Sequence, residues 1–117
     1  MAFTEKEMER LMEKPWGYET PLYGNRRYDL KELRIREGHR LSLQVHESKH
    51  ETWLVLEGEG AITLGTEMFS YKPGKIVDIP PKTPHRIFSG KGTTVIFEVS
   101  TPEFNDITRL EDDYGRV

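Results

Sequence analysis

The chain has 117 residues, of which 35% are hydrophobic and 32% are charged, with a mean hydropathy of −0.68. This length predicts one domain spanning residues 1–117, and no stretch approaches the roughly 18 apolar residues that a membrane-spanning helix needs. Seventeen basic and twenty acidic residues give a net charge of −3, which argues against a nucleic-acid binder that relies on a basic face.

The chain contains no cysteine, and its first residues lack the apolar stretch of a signal peptide. These features predict a cytoplasmic protein without disulfides, thiolate metal sites or a membrane partner. Any metal ion must be bound by histidine, carboxylate or amide oxygen, and only four histidines are available.

The first predicted element is a short helix over residues 5–13, within an N-terminal extension of residues 1–14. Thr4 and Glu7 form a capping box, apolar residues follow at helical spacing, and Pro15 ends the pattern. From residue 17 onward glycine or proline recurs every few residues, and helix signals almost vanish. The rest of the chain is therefore expected to be non-helical.

Short strand-like runs lie between these turn residues, and they predict strands at residues 33–36, 41–46, 52–56, 61–64, 76–79 and 94–99. Many short strands with close turn signals favour an all-β sandwich or barrel of jelly-roll type. Residues 102–117 are polar and charged, and we expect a closing segment there, either a turn of helix or a tail that folds back.

Two of these strands carry polar residues that need an explanation. Ser42, Gln44 and His46 share one face of their strand, and the default for such a face is exposure to water. The next strand begins at Glu51 and is largely apolar on both faces, which is typical of a covered strand. A carboxylate there needs a partner, because an unpaired buried charge costs several kcal/mol. A metal ion would be such a partner.

The candidate metal ligands are Gln44, His46, Glu51 and His85. Gln44 and His46 leave the same strand face about 6.5 Å apart, and Glu51 and His85 can reach the same point from other strands. Two imidazoles, a carboxylate and an amide oxygen suit one divalent ion, Zn²⁺ first, with Mn²⁺, Co²⁺, Ni²⁺ or Fe²⁺ as alternatives. The competing interpretation is a polar strand face with a structural histidine.

The spacings of these residues resemble the two signature motifs of the cupin superfamily, with Gln44 in place of the first histidine. Five ordered blocks also resemble the C-terminal cupin domain of type II mannose-6-phosphate isomerases. The blocks are KPWGYE, GHRLSLQVH, ETWLVLEGEG, IPPKTPHRI and DITRLEDDYGR, at residues 14–19, 38–46, 51–60, 79–87 and 106–116. The resemblance implies a jelly-roll β-barrel of the cupin type.

The same resemblance implies a function. It is that of a metal-dependent aldose–ketose isomerase, which interconverts mannose 6-phosphate and fructose 6-phosphate through a cis-enediol. Such a reaction needs a metal ion to stabilise charge on oxygen, a base to move a proton, and cationic groups to hold the phosphate. No glycine-rich nucleotidyltransferase loop occurs in the chain, so we expect a stand-alone cupin that does not make GDP-mannose.

The remaining site residues are assigned from the resemblance and from strand alternation. Glu98 is the candidate catalytic base, with a surface or structurally paired glutamate as the alternative. Lys49 stands where the family usually has an arginine and is the first candidate phosphate contact, against a solvated loop lysine. Arg40 is a second candidate phosphate contact, against a salt bridge at the rim. Trp53 shares a face with Glu51, so it is a core residue that is also a candidate pocket wall.

Two other functions stay open at this point. One is a non-catalytic cupin that recognises a sugar or a sugar phosphate, and the other is a different metalloenzyme, such as an iron-dependent oxygenase. The expected partners are a small sugar phosphate and a second copy of the chain, because the face of Leu41, Leu43 and Val45 would need cover. Arg109 and Arg116 could close over the pocket, but the preferred interpretation is that they anchor the tail through ion pairs such as those with Asp112 or Asp113.

Overall fold

The computed structural model describes residues 11–103 and 106–117, and the regular structure in these two ranges is entirely β. All pairings between its strands are antiparallel. In chain order the strands are β1 (Met12–Lys14), β2 (Gly17–Gly24), β3 (Asp29–Ile35), β4 (Leu43–Val45), β5 (Glu51–Leu64), β6 (Glu67–Tyr71), β7 (Ile76–Ile79), β8 (His85–Ser100) and β9 (Thr108–Glu111).

Two long strands, β5 and β8, hold the architecture together because each takes part in both halves of a curled sheet. They pair with one another from Glu51 opposite Ser100 to Leu64 opposite His85. At the end where Glu51 faces Ser100, β7 pairs with the free edge of β5. On the other side β3 pairs with β8, β2 pairs with β3, and β1 pairs with β2. At the end where Leu64 faces His85, β6 pairs with β5, β4 pairs with β8, and β9 pairs with β4. The predicted all-β class is confirmed.

The core lies between the two halves and consists of apolar side chains from most of the strands. Its buried members are Trp16, Leu33, Ile35, Leu41, Trp53, Val55, Ile62, Tyr71, Val77, Ile79, Ile87 and Ile96. Leu41 was expected on a face that a second copy covers, but it is 4% exposed within the core of its own chain. The homodimer itself stays a prediction.

Glycines in the middle of β5 replace the turn that the sequence suggested there. The strands predicted at 52–56 and 61–64 are one continuous strand, with register shifts against β8 between Val55 and Gly60. A Cβ on Gly60 would lie 2.0 Å from the Phe88 carbonyl oxygen, and one on Gly58 would lie 2.6 Å from the Thr94 Cα. These glycines therefore permit a bulge at which the two long strands approach closely.

Gly58→Ala is expected to destabilise the fold more than Gly74→Ala, although the two glycines have nearly equal φ angles of +98° and +95°. Positive-φ strain costs about 1–3 kcal/mol in both variants. Nothing lies within 4 Å of a Cβ on Gly74, whereas the clash at Thr94 adds about 1–3 kcal/mol for Gly58. Urea unfolding of both variants measures the difference, and equal losses would contradict the close approach.

The structure corrects the prediction for the N-terminal segment and decides between the two forms expected for the C-terminal tail. Residues 5–10 of the predicted N-terminal helix lie outside the described residues, but Met12–Lys14 at its end forms β1 against β2. The helix prediction is wrong there because strand pairing outweighs the weak propensity of a short helical pattern. The tail takes one of the two expected forms, since Thr108–Glu111 folds back as β9. Within the described part of the chain, no helix has the length and apolar character needed to cross a membrane.

Candidate metal centre

Three buried side chains from separate parts of the chain converge at one end of the barrel. His46 directly follows β4, Glu51 begins β5 and His85 begins β8. Glu51 Oε1 lies 2.9 Å from His46 Nε2 and 3.1 Å from His85 Nε2. One ligand atom from each residue lies within 4.8 Å of the other two, so the three residues could hold a metal ion.

The hydrogen bonds of the two imidazoles fix which nitrogen faces the centre. His85 Nδ1 donates to the Thr83 carbonyl at 2.9 Å, and His46 Nδ1 donates to the Asp106 carbonyl. Because a carbonyl oxygen only accepts, Nδ1 carries the proton in each ring, and Nε2 of the neutral ring presents a lone pair. Metal-binding histidines usually donate a hydrogen bond from the ring nitrogen that does not face the metal, as both do here.

The atoms that face the centre lack hydrogen-bond partners. His46 Nε2, Glu51 Oε1 and His85 Nε2 are all buried, and their mutual contacts do not have hydrogen-bond geometry. Three electron-rich atoms and a buried negative charge would be unfavourable without a cation between them. Imidazole and carboxylate donors are those that a divalent transition metal accepts, so the residues present fit such an ion.

The charge of the centre is set by Glu51. Burial alone would raise the pKa of Glu51, but the polar side chains around its carboxyl group, those of His46, His85 and Glu98, together outweigh burial and hold the pKa well below its usual range. The group is therefore a carboxylate at neutral pH. A charged ligand at this position strengthens the attraction of the site for a cation.

A second buried carboxyl group, Glu98, lies beside Glu51. Burial and the nearby charge of Glu51 raise the pKa of Glu98 to about 8. Trp53 Nε1 donates to Glu98 Oε1 at 2.9 Å, and Lys31 Nζ lies 3.4 Å from Oε2. Lys31 also lies 3.3 Å from Glu19, and although burial disfavours its charge, the attraction of Glu98 and Glu19 raises the pKa of Lys31. The ammonium group therefore stays protonated.

A cavity of about 170 Å³ lies beside the centre. It is lined by Lys14, Trp16, Glu19, Lys31, Leu33, Leu41, Ser42, Gln44, His46, Lys49, Glu51, Glu98, Asp106, Ile107, Arg109 and Arg116. Among the described residues neither Lys49 nor Arg109 forms an ion pair, and Arg109 Nε is buried without a hydrogen-bond partner. The cavity thus has a carboxylate-rich part beside the histidines and cationic side chains without counterions.

The structure brings together most of the residues singled out from the sequence. Gln44, Lys49 and Glu98 line the cavity beside His46 and Glu51. Trp53 is fully buried behind them, with its ring edge-on to His85 at a centroid distance of 5.6 Å. Trp53 therefore supports Glu98 and His85 from behind and does not line the open space.

Arg40 is not brought to the cavity. Its Nε and Nη2 donate to the two carboxylate oxygens of Asp113 at 2.7 and 2.8 Å. This is the rim salt bridge that was the alternative to a phosphate contact. The Arg40–Asp113 pair instead ties the tail to the strand bridge at Arg40 and Phe88.

Several cavity residues either gave no signal in the sequence or were assigned another role there. Lys31 faces inward from β3, but the predicted strand began only at Leu33, so its alternation with Leu33 was not available. Arg116 pairs with Asp112 as expected and also lines the cavity, whereas Arg109 lines it without anchoring the tail. Asp106 gave no local signal, because its partners lie 57 to 60 residues away in the chain.

Solved structures with the same architecture identify the fold. KdgF from Halomonas sp. has a TM-score of 0.77 at 16% identity, over 89% of this chain and 94% of that chain. An RmlC-like cupin from Shewanella frigidimarina has a TM-score of 0.75 at 15% identity, over 89% of this chain and 93% of that chain. CapF from Staphylococcus aureus has a TM-score of 0.76 at 22% identity, over 88% of this chain and 32% of that chain. The fold is that of a cupin, as the resemblance to the cupin motifs implied.

The family follows from the sequence match. The family described as "Mannose-6-phosphate isomerase C-terminal" matches residues 3–112, and the chain belongs to this family. The resemblance stated from the ordered sequence blocks is confirmed.

Curated relatives carry the same region as part of longer chains. The xanthan biosynthesis protein XanB of Xanthomonas campestris is 31% identical over 97% of this chain and 25% of its own length. The alginate biosynthesis protein AlgA of Pseudomonas aeruginosa is 34% identical over 89% and 22%, respectively. For the mannose-1-phosphate guanylyltransferase ManC of Salmonella typhimurium the values are 30%, 97% and 24%. The chain therefore spans about a quarter of the length of these relatives.

Proposed function

We propose that this protein is a metal-dependent sugar-phosphate isomerase that interconverts mannose 6-phosphate and fructose 6-phosphate. The observation that carries the proposal is the convergence of three buried, unpartnered donor atoms, from His46, Glu51 and His85, beside a cavity that a further buried carboxyl group lines. Membership of the isomerase C-terminal family supports the choice of reaction. Because the chain spans only part of its relatives, the activity is proposed for this chain on the strength of its own site.

One divalent ion, Zn²⁺ first, would be held by His46, Glu51 and His85, with Gln44 offering an amide oxygen from the cavity wall. The bound ion would supply Lewis-acid stabilisation of negative charge at a sugar oxygen. The chain's own contribution is to hold both Nε2 atoms unprotonated, through the Nδ1 donations to the carbonyls of Thr83 and Asp106. It also keeps the centre largely out of water, since all three side chains are at most 5% exposed.

Glu98 is proposed as the group that moves the proton. In the aldose it would remove the proton from C2 and return it to C1, and it would act in the opposite direction on the ketose. Burial raises the pKa of Glu98, and a raised pKa suits this role, because the group can then both accept and release a proton closer to neutral pH. Trp53 holds one carboxyl oxygen by its 2.9 Å hydrogen bond and so fixes the orientation of the other.

The phosphate is proposed to bind Lys49 and Arg109. Both line the cavity, and neither has a counterion among the described residues. A guanidinium group can bind two phosphate oxygens at once, and Lys49 would add a point charge. Arg40 is left out of this assignment because Asp113 already occupies its guanidinium group.

The proposal is tested by an isomerase assay on protein that has been stripped of metal and reloaded with one ion at a time. Mannose 6-phosphate should be converted only when metal is bound, and His46→Ala should remove the turnover. The matched control is His50→Ala, because His50 is exposed and bonds Asp78 away from the cavity. Absence of turnover with metal demonstrably bound would overturn the isomerase function.

Two observations favour alternatives that the same experiment separates. Two imidazoles and one carboxylate are also the ligand set of many iron-dependent oxygenases, which would consume O₂ only with iron bound. The ion pair between Glu98 and Lys31 would suit a binding protein, since it engages the proposed base. Such a protein would bind mannose 6-phosphate without converting it, whereas the isomerase should work equally well without O₂.

A further inference from the structure

We propose that Asp106 is a positioning residue that fixes both the metal ligand His46 and the loop carrying Lys49. Asp106 lies in the segment that leads from β8 to β9, far in sequence from the metal centre. The inference rests on the proposed function, because it assigns Asp106 a role in building that same site. It concerns residues outside the ligand set and can be tested without a turnover assay.

Four successive residues donate hydrogen bonds to this one aspartate. His46 Nδ1 donates to its backbone carbonyl. Glu47 N donates to Oδ1 at 2.8 Å, while Ser48 N and Lys49 N donate to Oδ2 at 2.7 and 2.8 Å. Both the side chain and the main chain of Asp106 are therefore committed to residues 46–49.

The carboxylate satisfies backbone donors that strand pairing leaves free. β4 ends at Val45 and β5 begins at Glu51, so the loop between them has no ladder partners for these amides. Three consecutive N–H groups that point to the same place favour a negatively charged acceptor. With the carboxylate in place, one conformation of the loop is selected, and this conformation places His46 in the centre and Lys49 in the cavity wall.

The carbonyl contact connects the same residue to metal binding. His46 presents Nε2 to the centre only while Nδ1 carries the proton, and the Asp106 carbonyl is the acceptor that fixes this tautomer. If the side chain no longer holds the loop, the carbonyl and the imidazole lose their fixed alignment. The effect should thus reach the metal although the Asp106 carboxylate is not a ligand.

The competing explanation is that Asp106 merely holds the tail against the barrel. Asp113 provides a matched control, because it is the same residue type in the same tail and binds Arg40 through two hydrogen bonds. Asp113 does not line the cavity. A general loss of tail anchoring should therefore give similar results for the two positions, whereas a positioning role should give a result at Asp106 alone.

The experiment compares Asp106→Asn, Asp106→Ala and Asp113→Ala with the unaltered chain. Zn²⁺ and Co²⁺ affinities are measured by competition with a chelator, and the Co²⁺ absorption spectrum reports the ligand geometry. Amide hydrogen exchange at residues 47–49 is measured on the metal-free proteins. We expect the Asp106 variants to bind metal about 10–100-fold more weakly, with an altered Co²⁺ spectrum and faster exchange at the three amides. Asp113→Ala should keep all three properties within about twofold of the unaltered chain.

Each alternative result has a definite meaning. Unchanged exchange at residues 47–49 in Asp106→Asn and Asp106→Ala would overturn the proposal, as would faster exchange with unchanged metal affinity. An equal loss of affinity in Asp113→Ala would also overturn it in favour of tail anchoring. If the unaltered chain bound neither metal, the metal centre of the proposed function would fail first, and the exchange rates alone would still decide whether Asp106 fixes the loop.

Discussion

Replacing His85 with alanine is expected to abolish the metal centre and to lower isomerase turnover by at least about 10³-fold. His85 is completely buried, and its Nε2 lies 3.1 Å from Glu51 Oε1. Without it, only His46 and Glu51 remain of the three converging donors. Lewis-acid stabilisation is worth several kcal/mol, and each 1.4 kcal/mol corresponds to roughly a tenfold change in rate.

Metal binding by His85→Ala can be followed through thermal stability, independently of catalysis. A metal ion at 100 times its dissociation constant should stabilise the unaltered chain by about 2.7 kcal/mol, because it binds only the folded state. The metal-dependent rise in Tm should be absent in His85→Ala, whatever the stability of the metal-free variant. His39→Ala serves as the control, since it removes an imidazole that contacts Tyr114 at 2.6 Å and does not face the centre. A full metal-dependent rise in His85→Ala would show that His85 is not a ligand.

The candidate ligands were predictable because strand alternation and motif spacing are properties of short stretches of sequence. Ser42, Gln44 and His46 were expected on one strand face, and all three line the cavity. Glu51 was expected to need a partner because it begins a strand that is covered on both sides, and the structure places it between two imidazoles. A buried charge in an apolar context is informative even without knowledge of the fold.

The strand boundaries were less predictable, because glycine has more than one structural use. Gly58 and Gly60 suggested a turn, yet they lie within a 14-residue strand where β8 leaves no space for a side chain. A single sequence shows that a glycine is present but does not show whether it serves a turn or a close approach. That distinction depends on the partner strand.

The residues that complete the site depend on contacts between distant parts of the chain. Lys31 is placed by the pairing of β3 with β8, which sets Lys31 opposite Glu98. Arg109 reaches the cavity because β9 pairs with β4, where it stands opposite Gln44. Arg40 was expected on the same strand face as Gln44 and His46, where it could contact a phosphate. Its guanidinium group is instead bound by Asp113, which lies 73 residues away in the chain. None of these pairings leaves a periodic signal in the sequence.

The second large effect is expected from Glu98→Gln, which should lower kcat by about 10²–10⁴-fold with little change in metal affinity. Glutamine has nearly the shape of glutamic acid, and its carbonyl oxygen can still accept the hydrogen bond from Trp53 Nε1. It cannot take a proton from carbon, so the chemical step should suffer, while Lys31 keeps Glu19 as its counterion. Metal affinity, KM and kcat measured on the same preparation separate these effects.

Glu19→Gln is the matched control, because Glu19 is the other carboxylate that contacts Lys31 and also lines the cavity. It lacks the hydrogen bond to Trp53 and is expected to keep kcat within about tenfold. An equal loss in both variants would mean that the charge balance around Lys31, and not proton transfer by Glu98, limits the rate. A loss of less than tenfold in Glu98→Gln would remove Glu98 as the base.

Isotope exchange shows whether a protein base takes part in the reaction at all. If Glu98 carries the proton between C2 and C1, part of it should exchange with solvent, and product formed in D₂O should contain deuterium at the transferred position. Glu98→Gln should lose turnover and deuterium incorporation together. Turnover with no incorporation in the unaltered chain, together with turnover retained in Glu98→Gln, would instead indicate direct hydride transfer between the two carbons, and Glu98 would then have no proton to move.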